Sequence, residues 1–324
     1  MNDYLTAAEE LFDYTQALRR DFHRHPELAF EEFRTAGIVA EELQALGFEV
    51  TTGVGRTGVV GVLEGEQDGP TVLLRFDMDA LPIEEETGAE YASRVPGVMH
   101  ACGHDGHTAI GLAVANILNN NRRHMAGRVK FVFQPAEEVA GGADSMLVDG
   151  VMDNPRPDYT LALHLWNERP LGWFGVSPGP TMAAAESFSI RIKGIGGHGA
   201  SPHLTIDPVV AAAQLTISFQ TIVARNIRPV DPGVLSVTRV DGGHAFNVIP
   251  PFVDMWGTIR YYSEEVRTMI HQRMEEIITG TAVATGCQIE LNFPEAVPAV
   301  VNDPLVTKTV DQVARRRHQA GDDH

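Results

Sequence analysis

Short apolar runs alternate with segments of helical period along the first half of the chain, and this alternation restricts the fold more than any other feature. Residues 48–52, 58–63, 71–76, 129–133 and 159–164 read as strands. Residues 5–22, 35–46 and 107–119 read as helices, and 143–148 as a short one. Thr35 is placed to cap the second helix and Gly47 to end it. Strands that alternate with helices in this way predict an α/β sandwich around a largely buried sheet.

After Pro178-Gly179-Pro180 the order changes. Strands at 187–193, 235–240, 253–261 and 288–293, with helices at 207–225 and 263–279, give the order β-α-β-β-α-β of a ferredoxin-like unit. Asp207 caps the first of these helices with Pro208 at its first position. Ser263 caps the second, with Glu264 and Glu265 in its first turn. The expected organisation is a first domain over 1–180, an inserted domain over 181–294, and a return to the first over 295–324 through a segment at 303–314. The end, Arg315 to His324, has no apolar period and is expected to add no further strand.

The chain has 324 residues with 43 acidic and 25 basic side chains, a formal net charge of −18. No basic stripe exists to displace counterions from phosphates, which argues against a nucleic-acid partner. No apolar run approaches the roughly 18–20 residues that span a bilayer, so no membrane partner is expected. The N-terminus, Met1-Asn2-Asp3-Tyr4, lacks the basic and apolar regions of a signal peptide. Cys102 and Cys287 lie far apart in different contexts, so a disulfide framework is not expected and a reducing cytoplasm is.

The chemistry concentrates where the apolar runs end. Met99-His100-Ala101-Cys102-Gly103-His104-Asp105-Gly106-His107 packs three imidazoles, a thiol and a carboxylate into nine residues, with two glycines to bend the backbone. Cys102 and His104, two apart, suit zinc or another borderline divalent ion; the alternative is a buried free cysteine beside a helix-capping histidine. Glu137 and Glu138 follow the strand at 129–133, where open α/β sheets place their sites. On extended backbone their side chains diverge, so one can ligate metal while the other acts as general base. A solvated acidic loop is the alternative. His164 ends the run at 159–164, and Asp77 and Asp79 end the one at 71–76, where either aspartate could orient a metal-bound histidine. What favours the metal reading is convergence, with ligand types at four successive places.

Three stretches, Arg75-Phe76-Asp77-Met78-Asp79-Ala80-Leu81-Pro82-Ile83, the nine residues from Met99, and Phe133-Gln134-Pro135-Ala136-Glu137-Glu138, resemble the dinuclear-metal amidohydrolases related to aminoacylase. The similarity is greatest to the branch of hippurate hydrolases, N-acyl-amino-acid deacylases and auxin-conjugate hydrolases, whose N-terminal signature is matched by His25-Pro26-Glu27-Leu28-Ala29-Phe30-Glu31-Glu32. The resemblance implies a zinc-peptidase-like α/β/α catalytic domain with an inserted ferredoxin-like lid and dimerisation domain. It implies two divalent ions (zinc, manganese or cobalt), a small N-acyl amino acid as substrate, and a homodimer. Position by position it implies Cys102, His104, Glu138 and His164 as metal ligands, Glu137 as general base and Asp79 as the orienting aspartate. His198, in Gly196-Gly197-His198-Gly199-Ala200, matches a histidine that reaches a neighbouring subunit's site and steadies the oxyanion. Asn247 and Arg260 match positions that hold the substrate carboxylate.

The family also carries a metal-binding histidine near the C-terminus, in a segment that this chain ends before. His318 and His324 lie without its surrounding motif and receive no such role. The expectation from this departure is one metal short of a ligand. The rival readings are therefore a truncated, catalytically impaired homologue, a dipeptidase of the same family, and a cysteine hydrolase with Cys102 as nucleophile and His104 or His107 as base.

Overall fold

The computed structural model describes residues 4–294 and 296–321. The chain divides into two compact units, Met1–Trp173 and Phe174–His324. The first unit contains α1 (Tyr4–Glu10), α2 (Phe12–Arg24), α3 (Phe33–Ala45), β1 (Glu49–Val54), β2 (Gly58–Glu64), β3 (Gln67–Asp77), α4 (His104–Asn120), β4 (Ala126–Gln134), α5 (Gly142–Val148) and β5 (Tyr159–Ala162). Its five strands run in the order β1-β2-β4-β3-β5. β3 is parallel to both β4 and β5, while β1 and β2 add an antiparallel edge.

Register decides what this sheet can do. Asp77 of β3 pairs with Gln134 of β4, and Arg75 pairs with Ala162 of β5. The residues that follow, Asp79, Glu137, Glu138 and His164, therefore all leave the sheet at the carboxyl edge of its parallel strands, where α/β proteins build sites. One face of the sheet packs Phe76, Phe131 and Phe133 against Phe22, Val39, Leu43 and Leu112 from α2, α3 and α4. At Gly111 the sheet comes so close that a Cβ would lie 2.9 Å from the rings of Phe76 and Phe133, which fixes how far α4 stands from β3 and β4. The other face packs Val60, Leu73 and Val132 against Met146 of α5 and Val151.

Local boundaries differ from the sequence reading in instructive places. The helix expected over 5–22 is two helices, α1 and α2, that break at Leu11. Thr35 is not a cap: it is buried inside α3, and its N–H donates to Glu27 Oε2 at 2.8 Å, beside Arg34 N–H to Glu27 Oε1 at 2.8 Å. A carboxylate from outside the helix thus satisfies its free amides. α4 begins at His104, three residues before the expected start, and β5 ends at Ala162, so His164 lies in the loop beyond the strand.

The second unit contains β6 (Gly179–Met182), β7 (Ala184–Lys193), β8 (Gly197–His198), α6 (Pro208–Asn226), β9 (Gly233–Asp241), β10 (Val248–Ile249), β11 (Phe252–Tyr261), α7 (Glu264–Thr285), β12 (Gln288–Asn292), β13 (Ala296–Val297), β14 (Val300–Asn302) and α8 (Pro304–Gly321). The main sheet has the order β12-β7-β11-β9, which is the ferredoxin-like arrangement read from the sequence. Both expected caps are present: Asp207 accepts from Val209 N–H and Ser263 from Val266 N–H. Phe188, Ile190, Ile192, Met255 and Ile259 on one face pack against Leu215, Phe219, Ile270 and Met274 of α6 and α7. The end of the chain groups with this unit by its pairing, β13 with β7 and β14 with β6. α8 continues to Gly321, through residues expected to lack regular structure; no proline or glycine interrupts it, and Arg315 pairs with Asp311 one turn earlier. His324 lies outside the described residues. Among those residues no helix is long and apolar enough to cross a membrane.

One buried charge ties the second unit's sheet to its helix. Glu186 of β7 is 2% exposed and bonds Arg267 at 3.1 Å and His271 at 3.0 Å on α7. Burial would raise its pKa, but these partners outweigh burial and hold it below the ordinary value of 4.5. A depressed folded-state pKa stabilises the fold above the unfolded value, and that contribution is lost as the pH falls through the folded one. Glu186→Gln is expected to cost about 1–3 kcal/mol at neutral pH. In thermal unfolding followed against pH, the gap to the native chain should close on acidification below 4.5.

Candidate metal centre

Gly103 supplies the turn on which the site is built. It sits at φ +95° as the residue before α4, so the chain swings from the Cys102 loop into the helix with His104 at its first position. His104 is fully buried, and its Nδ1 lies 2.9 Å from the Asp79 carbonyl and 3.2 Å from Asp79 Oδ1. Asp79 Oδ2 accepts the N–H of Glu138 at 3.0 Å. One buried carboxylate therefore fixes both the imidazole and the backbone of the glutamate turn.

This arrangement leaves His104 Nε2 and Glu138 Oε1 facing one another at 3.8 Å, each buried and without a hydrogen-bond partner. Two buried polar atoms without partners are costly unless a cation or proton sits between them. Their separation is too long for a hydrogen bond and shorter than two ligand bonds of about 2.0–2.2 Å, so a divalent ion fits the pair. Three overlapping groups of ligand types share His104: Cys102 with His164, Glu137 with Glu138, and Asp77 with His107. Burial alone would lower the His104 pKa, but Asp79, Cys102 and Asp77 more than reverse that and raise it. The surroundings thus call for positive charge at Nε2, which a proton or a metal cation can supply.

Cys102 Sγ lies 3.4 Å from His164 Nε2, and His164 Nδ1 donates to the Leu165 carbonyl at 2.6 Å. The imidazoles of His104 and His164 hold the Cys102 thiol below its usual pKa, favouring the thiolate that metals bind. His107, in the same motif, is committed elsewhere. Its Nδ1 bonds Asp77 Oδ1 at 2.5 Å and its Nε2 accepts the Leu165 N–H at 2.9 Å. It ties the sheet edge to the His164 loop and has no free nitrogen, for a ligand or for the base of a cysteine hydrolase. Asp77 in turn takes Arg75 Nη1 at 2.6 Å.

Glu137 and Glu138 do not lie on extended backbone as the sequence reading supposed. β4 ends at Gln134, Ala136 turns the chain at φ +51°, and both glutamates follow on a turn closed by Gly142 N–H to the Ala136 carbonyl at 3.1 Å. They differ in setting: the Glu138 amide is held by Asp79, while Glu137 keeps part of its surface exposed. Burial raises the Glu137 pKa, with Arg75 opposing it and the Glu138 charge adding to it. A carboxylate raised above its ordinary pKa is a stronger proton acceptor.

The remaining expected residues lie in the second unit. His198 ends β8, opposite Val248 of β10, and its Nδ1 accepts Ala200 N–H at 3.0 Å. Asn247 stands beside it, because Gly199 N–H donates to the Asn247 carbonyl at 2.8 Å. Arg260 is on β11, on the face that alternates away from the helices, and its Nη1 donates to Thr258 Oγ1 and, at 3.0 Å, to the Ile259 carbonyl. The sequence reading gives His107 only the base of the rival cysteine hydrolase, and from the residues alone either aspartate could orient the histidine, Asp79 being what the resemblance implies. Their spacing in the motifs was visible, but the partners depend on strand register.

Because a Cβ at Gly103 would meet nothing closer than 3.9 Å, the cost of Gly103→Ala is conformational. We expect a loss of about 1–2 kcal/mol, read as a lower thermal midpoint.

Residues 73–323 match the model of peptidase family M20/M25/M40. The chain is 46% identical to an N-acyl-L-amino acid amidohydrolase of Geobacillus stearothermophilus, over 88% of this chain and 77% of that protein. It is 42% identical to thermostable carboxypeptidase 1 of Saccharolobus solfataricus, over 94% of this chain and 78% of that one. Among solved structures it superposes on the Bacillus subtilis YXEP protein, a dinuclear metal-binding peptidase from the M20 family, with a TM-score of 0.83 and 36% identity, covering 96% of this chain and 81% of that one. The fold, the strand-end ligand types and these likenesses together place the chain in the peptidase family M20/M25/M40.

Proposed function

We propose that this chain is a metal-dependent amidohydrolase that cleaves the amide bond of small N-acyl amino acids, with Cys102, His104, Glu138 and His164 holding divalent ions and Glu137 as the general base. The observation that carries the reading is the pair of buried, partnerless atoms His104 Nε2 and Glu138 Oε1, both fixed by Asp79. The amidohydrolase and the carboxypeptidase named above support amide cleavage, and the former supports an N-acyl amino acid.

When bound, two divalent ions acidify water and draw charge from the carbonyl oxygen. Zinc, manganese and cobalt all suit a set of thiolate, imidazole and carboxylate. Glu137 takes the proton from the attacking water and returns it to the leaving nitrogen, a role its raised pKa suits. Asp79 keeps the His104 proton on Nδ1 and so leaves Nε2 available. His198 donates to the developing oxyanion in the site of a second copy, an effect of about 3–4 kcal/mol for such donors. Asn247 and Arg260 hold the substrate carboxylate, where a guanidinium can bind both oxygens. The ferredoxin-like unit then serves as lid and dimerisation domain of a cytoplasmic homodimer.

Glu137→Gln is expected to retain metal while turnover of a hippurate-type substrate falls by about 100-fold or more. Unchanged turnover would remove Glu137 from the role of base. Asp79→Ala should weaken zinc binding about 10–100-fold in a competition titration, through the lost orientation of His104.

A further inference from the structure

We propose that Glu32 is a positioning residue that holds the turn carrying Glu137 and Glu138 in its working shape; this rests on the function proposed above. Glu32 is fully buried, and its carboxylate joins its own loop to two distant segments. Oε1 accepts Phe30 N–H at 3.0 Å and Ala136 N–H at 2.9 Å, and Oε2 accepts the Thr57 hydroxyl. Among its described bonds it reaches none of the proposed ligands, and no arginine or lysine pairs with it. A buried carboxylate without a counter-cation is costly, so its hydrogen bonds must be what retains it.

Ala136 shows what those bonds achieve. It is fully buried and stands at φ +51°, a left-handed conformation that costs a residue with a Cβ about 1–2 kcal/mol. The residue is clamped on both sides, its N–H by Glu32 and its carbonyl by Gly142 N–H. The fit on the far side is tight, since a Cβ on Gly142 would lie 1.6 Å from the Pro135 carbonyl oxygen. Without Glu32 the Ala136 N–H is orphaned and the residue is free to relax to negative φ. That rotation is transmitted directly to the next two residues, Glu137 and Glu138. Glutamine in place of Glu32 keeps an oxygen for Phe30 and Ala136, and its amide can donate to the Thr57 oxygen. The role therefore needs the shape of the side chain and its acceptor, with no need for its charge.

The test compares the metal-loaded full chain with Glu32→Ala, Glu32→Gln and Thr57→Val, in hydrolysis of an N-acyl amino acid and in amide exchange over residues 135–142. Expected are a drop in kcat of about 100-fold for Glu32→Ala, the scale of a misplaced catalytic group, with KM within about threefold. Glu32→Gln should restore kcat to within about threefold of the native chain. Thr57→Val, which removes a bond from the same carboxylate but not the one to Ala136, should lower the thermal midpoint and leave kcat in place. Exchange over 135–142 should quicken in Glu32→Ala and not in Glu32→Gln. Should the alanine variant fail to fold, Glu32→Asp, one methylene shorter, takes its place. Native kcat in the alanine variant, equal loss in alanine and glutamine variants, or loss of kcat in Thr57→Val in step with stability would each overturn the proposal. If the native chain hydrolyses no N-acyl amino acid, the proposed function fails, and the exchange measurement alone decides the role of Glu32: native exchange in the alanine variant overturns it.

Discussion

Asp79 is the interaction on which the first unit's site depends. Its carboxylate and carbonyl take the Nδ1 proton of His104, and its second oxygen takes the Glu138 amide. The aspartate itself is 1% exposed, held just beyond the end of β3. A buried group with both oxygens engaged has one orientation, and so have the two side chains it governs. The consequence is a preorganised pair of ligand atoms, 3.8 Å apart, whose spacing fits a divalent cation.

Around this pair the charges are arranged in series. Arg75 bonds Asp77, Asp77 bonds His107, and His107 bonds the amide of Leu165, next to His164. Each link engages a polar group at the sheet edge, so the chain of bonds fixes these side chains relative to the His164 loop. His107 therefore has a structural task although it belongs to the same nine-residue motif as Cys102 and His104. His104 and His164 each bond an oxygen through Nδ1, whereas both nitrogens of His107 are engaged.

Much of this was legible in the sequence, and the rest was not for physical reasons. The alternation of apolar runs and helix periods gives the strands and their order of appearance, and Asp207 and Ser263 announce their helices through local bonds two or three residues long. Thr35 misleads because the helix begins earlier, at Phe33, and the free amides of its first turn at Arg34 and Thr35 are satisfied by Glu27, eight residues before Thr35. The glutamate turn was missed because nothing local favours a left-handed alanine; the bond that secures it comes from Glu32, 104 residues earlier. In the same way, the types of ligand at the strand ends could be read one by one. Their meeting depends on Asp77 pairing with Gln134, a register that no single strand pattern dictates. The family resemblance supplied roles for Cys102, Glu137 and Arg260 but not the bonds that hold the first two in place.

The proposed function requires the atoms fixed by Asp79 to hold a divalent cation on which amide hydrolysis depends. The most direct measurement is the metal content of the purified chain together with its hydrolysis of N-acyl amino acids before and after chelation. Expected are bound divalent metal, loss of both metal and hydrolysis on chelation, and recovery of both on adding back zinc, manganese or cobalt. Hydrolysis that persists in a metal-free chain would contradict the proposed function.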